Sequence, residues 1–169
     1  GTIARTRGDL AEAERLQREG LAIMRKVGDR RGESASLINL GIIAETRGDR
    51  AEAKWLYGES LITRREIGDR QGEATSLNHL GTIAKKRGDL AEAERLYRES
   101  IIIRREIGDR QGEAASLNNL GTIAKRRGDL AEAERLHRES LAIKREIGDR
   151  KGEATSLKDL GELMLEKGD

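Results

Sequence analysis

The chain has no proline, no phenylalanine and no cysteine, and only one tryptophan and two tyrosines among its 169 residues. Without cysteine there are no disulfides, no thiolate nucleophile and no Cys-ligated zinc, and the redox compartment is left undecided. With so little aromatic bulk, a core must be assembled from Leu, Ile, Ala and a little Tyr. That suits a thin, layered body with small residues at close helix contacts better than a thick globule. No apolar run approaches the roughly 20 residues that span a bilayer, and no signal-peptide pattern opens the chain, so a cytoplasmic location is expected. An excess of one charge is lacking too, because 33 basic residues nearly cancel 31 acidic ones to leave +2. Such a balance predicts an ion-paired, solvated surface rather than a binder of polyanions.

What the chain has is repetition. GDLAEAERLYRES at 88–100 returns at 128–140 with one letter changed, and Gly1, Gly41, Gly81, Gly121 and Gly161 recur every 40 residues. A fixed period in this range signals a solenoid or propeller, and no run alternates apolar and polar as a strand would. In 110–127, Leu117, Leu120, Ile123 and Ala124 fall on one face of a helix; in 90–107, Leu90, Ala93, Leu96, Tyr97, Ile101, Ile103 and Ile107 do the same. Gly88 stands where a helix stops in a left-handed turn, and Asp89 with Glu92 forms a D-x-x-E capping box for the next helix. Gly108 and Asp109 repeat the pair. Links this short force neighbouring helices antiparallel. The expectation is an all-α row of helical hairpins in one array: a truncated first repeat at 1–29, full repeats at 30–69, 70–109 and 110–149, and the first helix of a further repeat at 150–169.

Leu77, Leu80, Gly81, Ala84, Gly88, Ala93 and Tyr97, with Leu117, Leu120, Gly121, Ala124, Gly128 and Ala133 one unit later, have the spacing of the tetratricopeptide repeat, and on these residues the chain resembles that family. It departs from the usual unit of about 34 residues in having 40, in lacking Pro, and in lengthening the hairpin link with IGDRQGE. The longer unit is similar to the repeats of kinesin light chain, of Pins-type adaptors and of bacterial signalling proteins with helical-repeat tails. The resemblance implies a right-handed superhelical solenoid with the first helix of each hairpin lining a concave groove, and a non-catalytic scaffold that holds a peptide there.

Leu77, Leu80 and Ala84 fix the rotation of that first helix, so Asn78, His79, Thr82, Lys85 and Lys86 are expected off the core, as are Asn118, Asn119, Thr122, Lys125 and Arg126 one unit on and Ile38, Asn39 and Ile42 one unit back. A carboxamide both donates and accepts, which satisfies a peptide backbone without reading its side chains. The SLNN stretch Ser116 to Asn119 is similar to that of peptide-holding relatives. The alternative for the asparagines is a bond across adjacent hairpins. Lys85, Lys86, Lys125 and Arg126 suit carboxylates or phosphates on a partner with an acidic segment, or else the negative end of their own helix dipole. Ile38 and Ile42 read as an apolar anchor or as packing on the next helix. Trp55 replaces Arg15, Arg95 and Arg135 in an outward column, as a contact point or a lone exposed ring.

Catalysis is not expected. His79 and His137 stand 58 residues apart with no metal-ligand spacing, the carboxylates alternate with Lys and Arg at i, i+4, and the glycines are stops and close contacts rather than a phosphate loop. No cofactor and no metal are called for. Nucleic acid is disfavoured, since the groove has no aromatic beyond His79 to stack a base. The rival to peptide binding is an architectural spacer or a self-assembling array, because the units 74–113 and 114–153 differ at only 8 of 40 positions, as recent duplication or a consensus design would leave them. The chain opens midway along a first helix and stops where a second is due, which reads as a fragment of a longer array. Leu157, Leu160 and Leu163 are then expected to dock on the N-terminal hairpin of another molecule.

Overall fold

The computed structural model describes the backbone of residues 2–168 and the side-chain environments of residues 9–168. Eight helices follow one another: α1 (Thr2–Val27), α2 (Arg30–Arg47), α3 (Arg50–Glu66), α4 (Arg70–Arg87), α5 (Leu90–Glu106), α6 (Arg110–Arg126), α7 (Leu130–Glu146) and α8 (Arg150–Gly168), and no strand occurs among the described residues. Each helix from α2 to α8 starts, and each from α1 to α7 stops, by the same chemistry. Gly48 lies at φ +87°, its N–H donating to carbonyls of the last turn of α2, and the Asp49 carboxylate accepts from Glu52 N at 2.9 Å. Only glycines adopt positive φ among the described residues, as the left-handed helix stop requires.

The first helix differs from expectation. Gly8 and Asp9 should divide a half-helix from the next, yet α1 runs through them unbroken. A Gly-Asp pair permits a stop but does not compel one. At Gly48 the turn is held by two long helices packed on each other.

The chain forms two compact units, residues 1–83 and 84–169. In the first, α2 packs between α1 and α3, around Leu21, Leu37, Leu40, Ala53, Leu56, Tyr57 and Ile83. The hydroxyl of Ser60, near the end of α3, donates to the carbonyl of Ser34, near the start of α2, so the helices are antiparallel. Small residues let the backbones close up: a Cβ built on Gly41 would lie 2.4 Å from Tyr57 Cε1. In the second unit α6 packs between α5 and α7, and α7 also on α8. Its His137 does what Tyr57 does, lying 2% exposed with Cε1 2.8 Å from where a Cβ on Gly121 would be. The packing role follows from its place in the tyrosine column.

One device was not visible in the pattern. Arg64, Arg104 and Lys144 occupy equivalent positions near the ends of α3, α5 and α7 and fold over the start of the next helix. Arg104 donates to Ser100 Oγ at 3.1 Å and to Asp109 Oδ2 at 2.5 Å; Arg64 binds Ser60 and Asp69 in the same way. Lys144 donates to Ser156 Oγ at 2.7 Å, and burial lowers its pKa. The guanidinium lies so close over Gly112 that a Cβ there would meet Nη1 at 1.4 Å. The glycine of the GDRQGE link is thus a seat for a cation.

Candidate functional site

The outward residues of α2, α4, α6 and α8 are set by the core. Once Leu117, Leu120 and Ala124 of α6 are buried, the 3.6-residue period turns Asn118, Asn119, Thr122, Lys125 and Arg126 away from it.

In the first unit the expected face is partly withdrawn. Ile38 is 8% exposed and packs in the core cluster, the second of its two readings, whereas Ile42 stays 43% exposed. Asn39 is exposed and donates to Gln17 Oε1 at 3.3 Å, an asparagine used between helices. His79 stacks on Tyr57 with ring centroids 4.7 Å apart, and Thr82 returns its hydroxyl to the carbonyl of Asn78 at 3.1 Å. The Tyr57 hydroxyl donates to Glu45 Oε2 at 3.0 Å, and burial, then the Glu45 charge, raises its pKa far above the usual phenol value.

The second unit carries a connected polar network. His137 Nδ1 lies 3.1 Å from Asn118 Oδ1, and Asn118 Nδ2 donates to Asp159 Oδ2 at 3.2 Å, tying α7, α6 and α8 together. Thr122 binds the carbonyl of Asn118 at 3.1 Å. Lys125 forms a 2.7 Å ion pair with Glu166, and Glu166, then Glu162 and Asp159, raise its pKa. A hollow of about 410 Å³ opens here between Thr122, Lys125, Arg126, Asp159, Glu162 and Glu166. The expected patch of four cations is therefore broken at Lys125, which α8 neutralises.

Lys85 is in a different setting. It donates to Asn119 Oδ1 at 3.2 Å and stands 6.0 Å over the Tyr97 ring, while the Arg126 guanidinium reaches the Lys85 carbonyl at 3.1 Å. Burial lowers its pKa first, and the charges of Lys86 and Arg126 lower it further. Lys85, Lys86 and Arg126 thus make a cationic step beside the acidic hollow of Asp159, Glu162 and Glu166. The sequence carried a signal for this reversal, since Glu166 falls in the column of Thr46, Lys86 and Arg126, and Glu162 in that of Thr82 and Thr122.

Trp55 is 56% exposed on α3. Among the described residues no cluster of three metal-ligating side chains forms, and no helix is long and apolar enough to cross a membrane.

Comparison with known proteins agrees with this architecture. The sequence matches the tetratricopeptide-repeat family over residues 1–66, 72–146 and 112–169. None of the curated proteins matches it. Similar solved structures include BtubC (BKLC) from P. vanneervenii, at 24% identity and a TM-score of 0.88 over 99% of this chain and 70% of that one. Another is the tetratricopeptide-like repeats of a putative kinesin light chain from Podospora anserina, at 19% identity and 0.76 over 99% of this chain and 83% of that one. A third is a signal-transduction ATPase with a tetratricopeptide-repeat sensor from Pyrococcus horikoshii, at 20% identity and 0.81, where 95% of this chain covers a quarter, 25%, of the other. At these identities the likeness is one of fold.

Proposed function

Because this chain belongs to the tetratricopeptide-repeat family, whose repeats generally mediate protein–protein contacts without catalysis, we propose that it is a non-catalytic scaffold holding an acidic segment of a partner protein on the outward face of its second unit. The observation that carries this is Lys85, a part-buried ammonium bonded to Asn119 Oδ1 at 3.2 Å with the Arg126 guanidinium on its own carbonyl at 3.1 Å, where burial and then the charges of Lys86 and Arg126 lower its pKa. A carboxylate brought onto that step offsets a repulsion already present in the fold. Asn119 holds Lys85 in place, and a basic residue further along the segment would meet Asp159 and Glu162. The alternation of sign favours a protein segment over nucleic acid, whose charge is all of one sign.

A library of short peptides screened against the chain tests this. Bound peptides should be enriched in Asp and Glu, and K85E/R126E should abolish the enrichment. Enrichment that survives the double variant, or a basic consensus, would overturn the reading. The second reading is a spacer with no ligand, and it is favoured by Asn118, Asn119 and Lys125 all being engaged within the chain. A screen that retains no peptide decides for it.

A further inference from the structure

Four apolar residues on α1 and α8 are exposed although their equivalents inside the array are buried. Leu16 of α1 is 52% exposed against 2% for Leu56 and 1% for Leu136; Ile23 is 54% exposed against 3% for Ile143. Leu157 of α8 is 46% exposed against 0% for Leu37 and 2% for Leu117; Met164 is 40% exposed where Ala124 is 8%. Gly161 follows the pattern, for nothing lies within 4 Å of a Cβ built there, whereas at Gly121 the His137 ring fills that place.

These two faces complement each other, and the interior shows how. Within the chain α6 is covered by α7. The segment 10–27 of α1 differs from 130–147 of α7 at only 5 of 18 positions, and α8 is the repeat equivalent of α6. We propose that copies of this 169-residue chain join head to tail, α1 of one covering α8 of the next as α7 covers α6. Leu16 then fills the site Leu136 fills, and Gln17 lies over Gly161 as His137 lies over Gly121.

Charge agrees at two positions and disagrees at one. Arg105 of α5 pairs with Glu139 of α7 at 2.5 Å, and Arg98 approaches Glu132 at 3.9 Å. One repeat on, these become Arg145 with Glu19 and Arg138 with Glu12 of the second copy. Arg110 of α6 pairs with Glu146 of α7 at 2.6 Å, but the equivalent contact sets Arg150 against Lys26, two like charges. That reversal weakens the joint and gives it a signature. The contact is heterologous, with different surfaces meeting, and the cations that carry the peptide face, Lys85 and Arg126, take no part in it.

Sedimentation velocity over a concentration series tests the joint. The native chain should show a mass that grows with concentration. L16E and L157E each alter a residue that is already exposed, so each should keep its helical circular dichroism, and each should sediment alone as a monomer. Mixed in equal amounts they should form one 1:1 dimer, because L16E retains a working α8 and L157E a working α1. K26E should tighten the native association about two- to five-fold, the worth of one exposed ion pair. A native chain that stays monomeric throughout the series, or either leucine variant dimerising alone through a symmetric contact, would overturn the proposal.

Discussion

The glycines of one repeat column give opposite forecasts for the same substitution. In G41A the new methyl would stand 2.4 Å from Tyr57 Cε1 and 2.7 Å from Cδ1, about an ångström inside a normal carbon contact of about 3.5–4.0 Å. The ring has nowhere to go. Tyr57 is fully buried, stacked on His79 at 4.7 Å and bonded to Glu45 at 3.0 Å. Overpacking of this kind costs about 1–3 kcal/mol, and loosening the hydroxyl bond adds about 1 kcal/mol. Against this, Ala is better than Gly inside a helix by about 1 kcal/mol. The net for G41A is a loss of about 1–3 kcal/mol. In G161A nothing lies within 4 Å of the new methyl, so the propensity term acts alone and the variant gains about 0.5–1 kcal/mol. G121A, at 2.8 Å from the smaller His137 ring, should fall between them. Urea unfolding at low micromolar protein provides the assay, followed by circular dichroism for the whole chain and by Trp55 fluorescence for the unit containing Gly41. Two probes are needed because repeat arrays need not unfold in one step. A G41A chain as stable as native by Trp55 fluorescence would refute the close ring-on-glycine packing on which the fold depends.

Three further outcomes are expected. D89A removes only a helix N-cap to Glu92 and should cost about 1 kcal/mol, whereas D109A also strips Arg104 of its partner and should cost about 2–4 kcal/mol; equal urea midpoints for the two would count against the cation seat. Burial holds the pKa of His137 below its usual 6.5, so the unfolded chain takes up a proton that the folded chain refuses. That penalty is absent well above the unfolded value, grows as pH falls through it, and levels off below the folded value. H137Y should therefore lose less stability than the native chain between pH 7.5 and 5, with parallel urea midpoints as the contrary result. Replacing Glu166 with Gln should release the Lys125 ammonium from its 2.7 Å pair and lower its pKa, measurable by NMR titration of the lysine side chains.

The period, the caps and the core face were all legible without coordinates, because each is a local property. A glycine before an aspartate sets a left-handed stop and an N-cap from its own backbone, and the 3.6-residue period alone decides that Leu117, Leu120 and Ala124 point together. Column reading also accounts for the burial of His137, since it stands where Tyr57 and Tyr97 stand. It failed where a decision lay between repeats. Gly8 and Asp9 carry the same local signal as Gly48 and Asp49, yet α1 runs through the former while the latter close the turn between α2 and α3.

The candidate face shows the same division. Its residues lie off the leucine stripe, except Ile38, which the helices beside it bury. What they do there was set by neighbours as far as 41 positions away. Asn119 meets Lys85, Asn118 meets Asp159, and Lys125 meets Glu166. The seat of Arg104 over Gly112 belongs to the same class, since a buried guanidinium is indistinguishable in sequence from the solvated arginines on either side of it. Sequence by itself determined that this chain is a row of capped, amphipathic helices. Tertiary structure decided which of the polar residues face each other and how their charges offset, because such pairing depends on distances of a few ångströms between helices that the one-dimensional period does not contain.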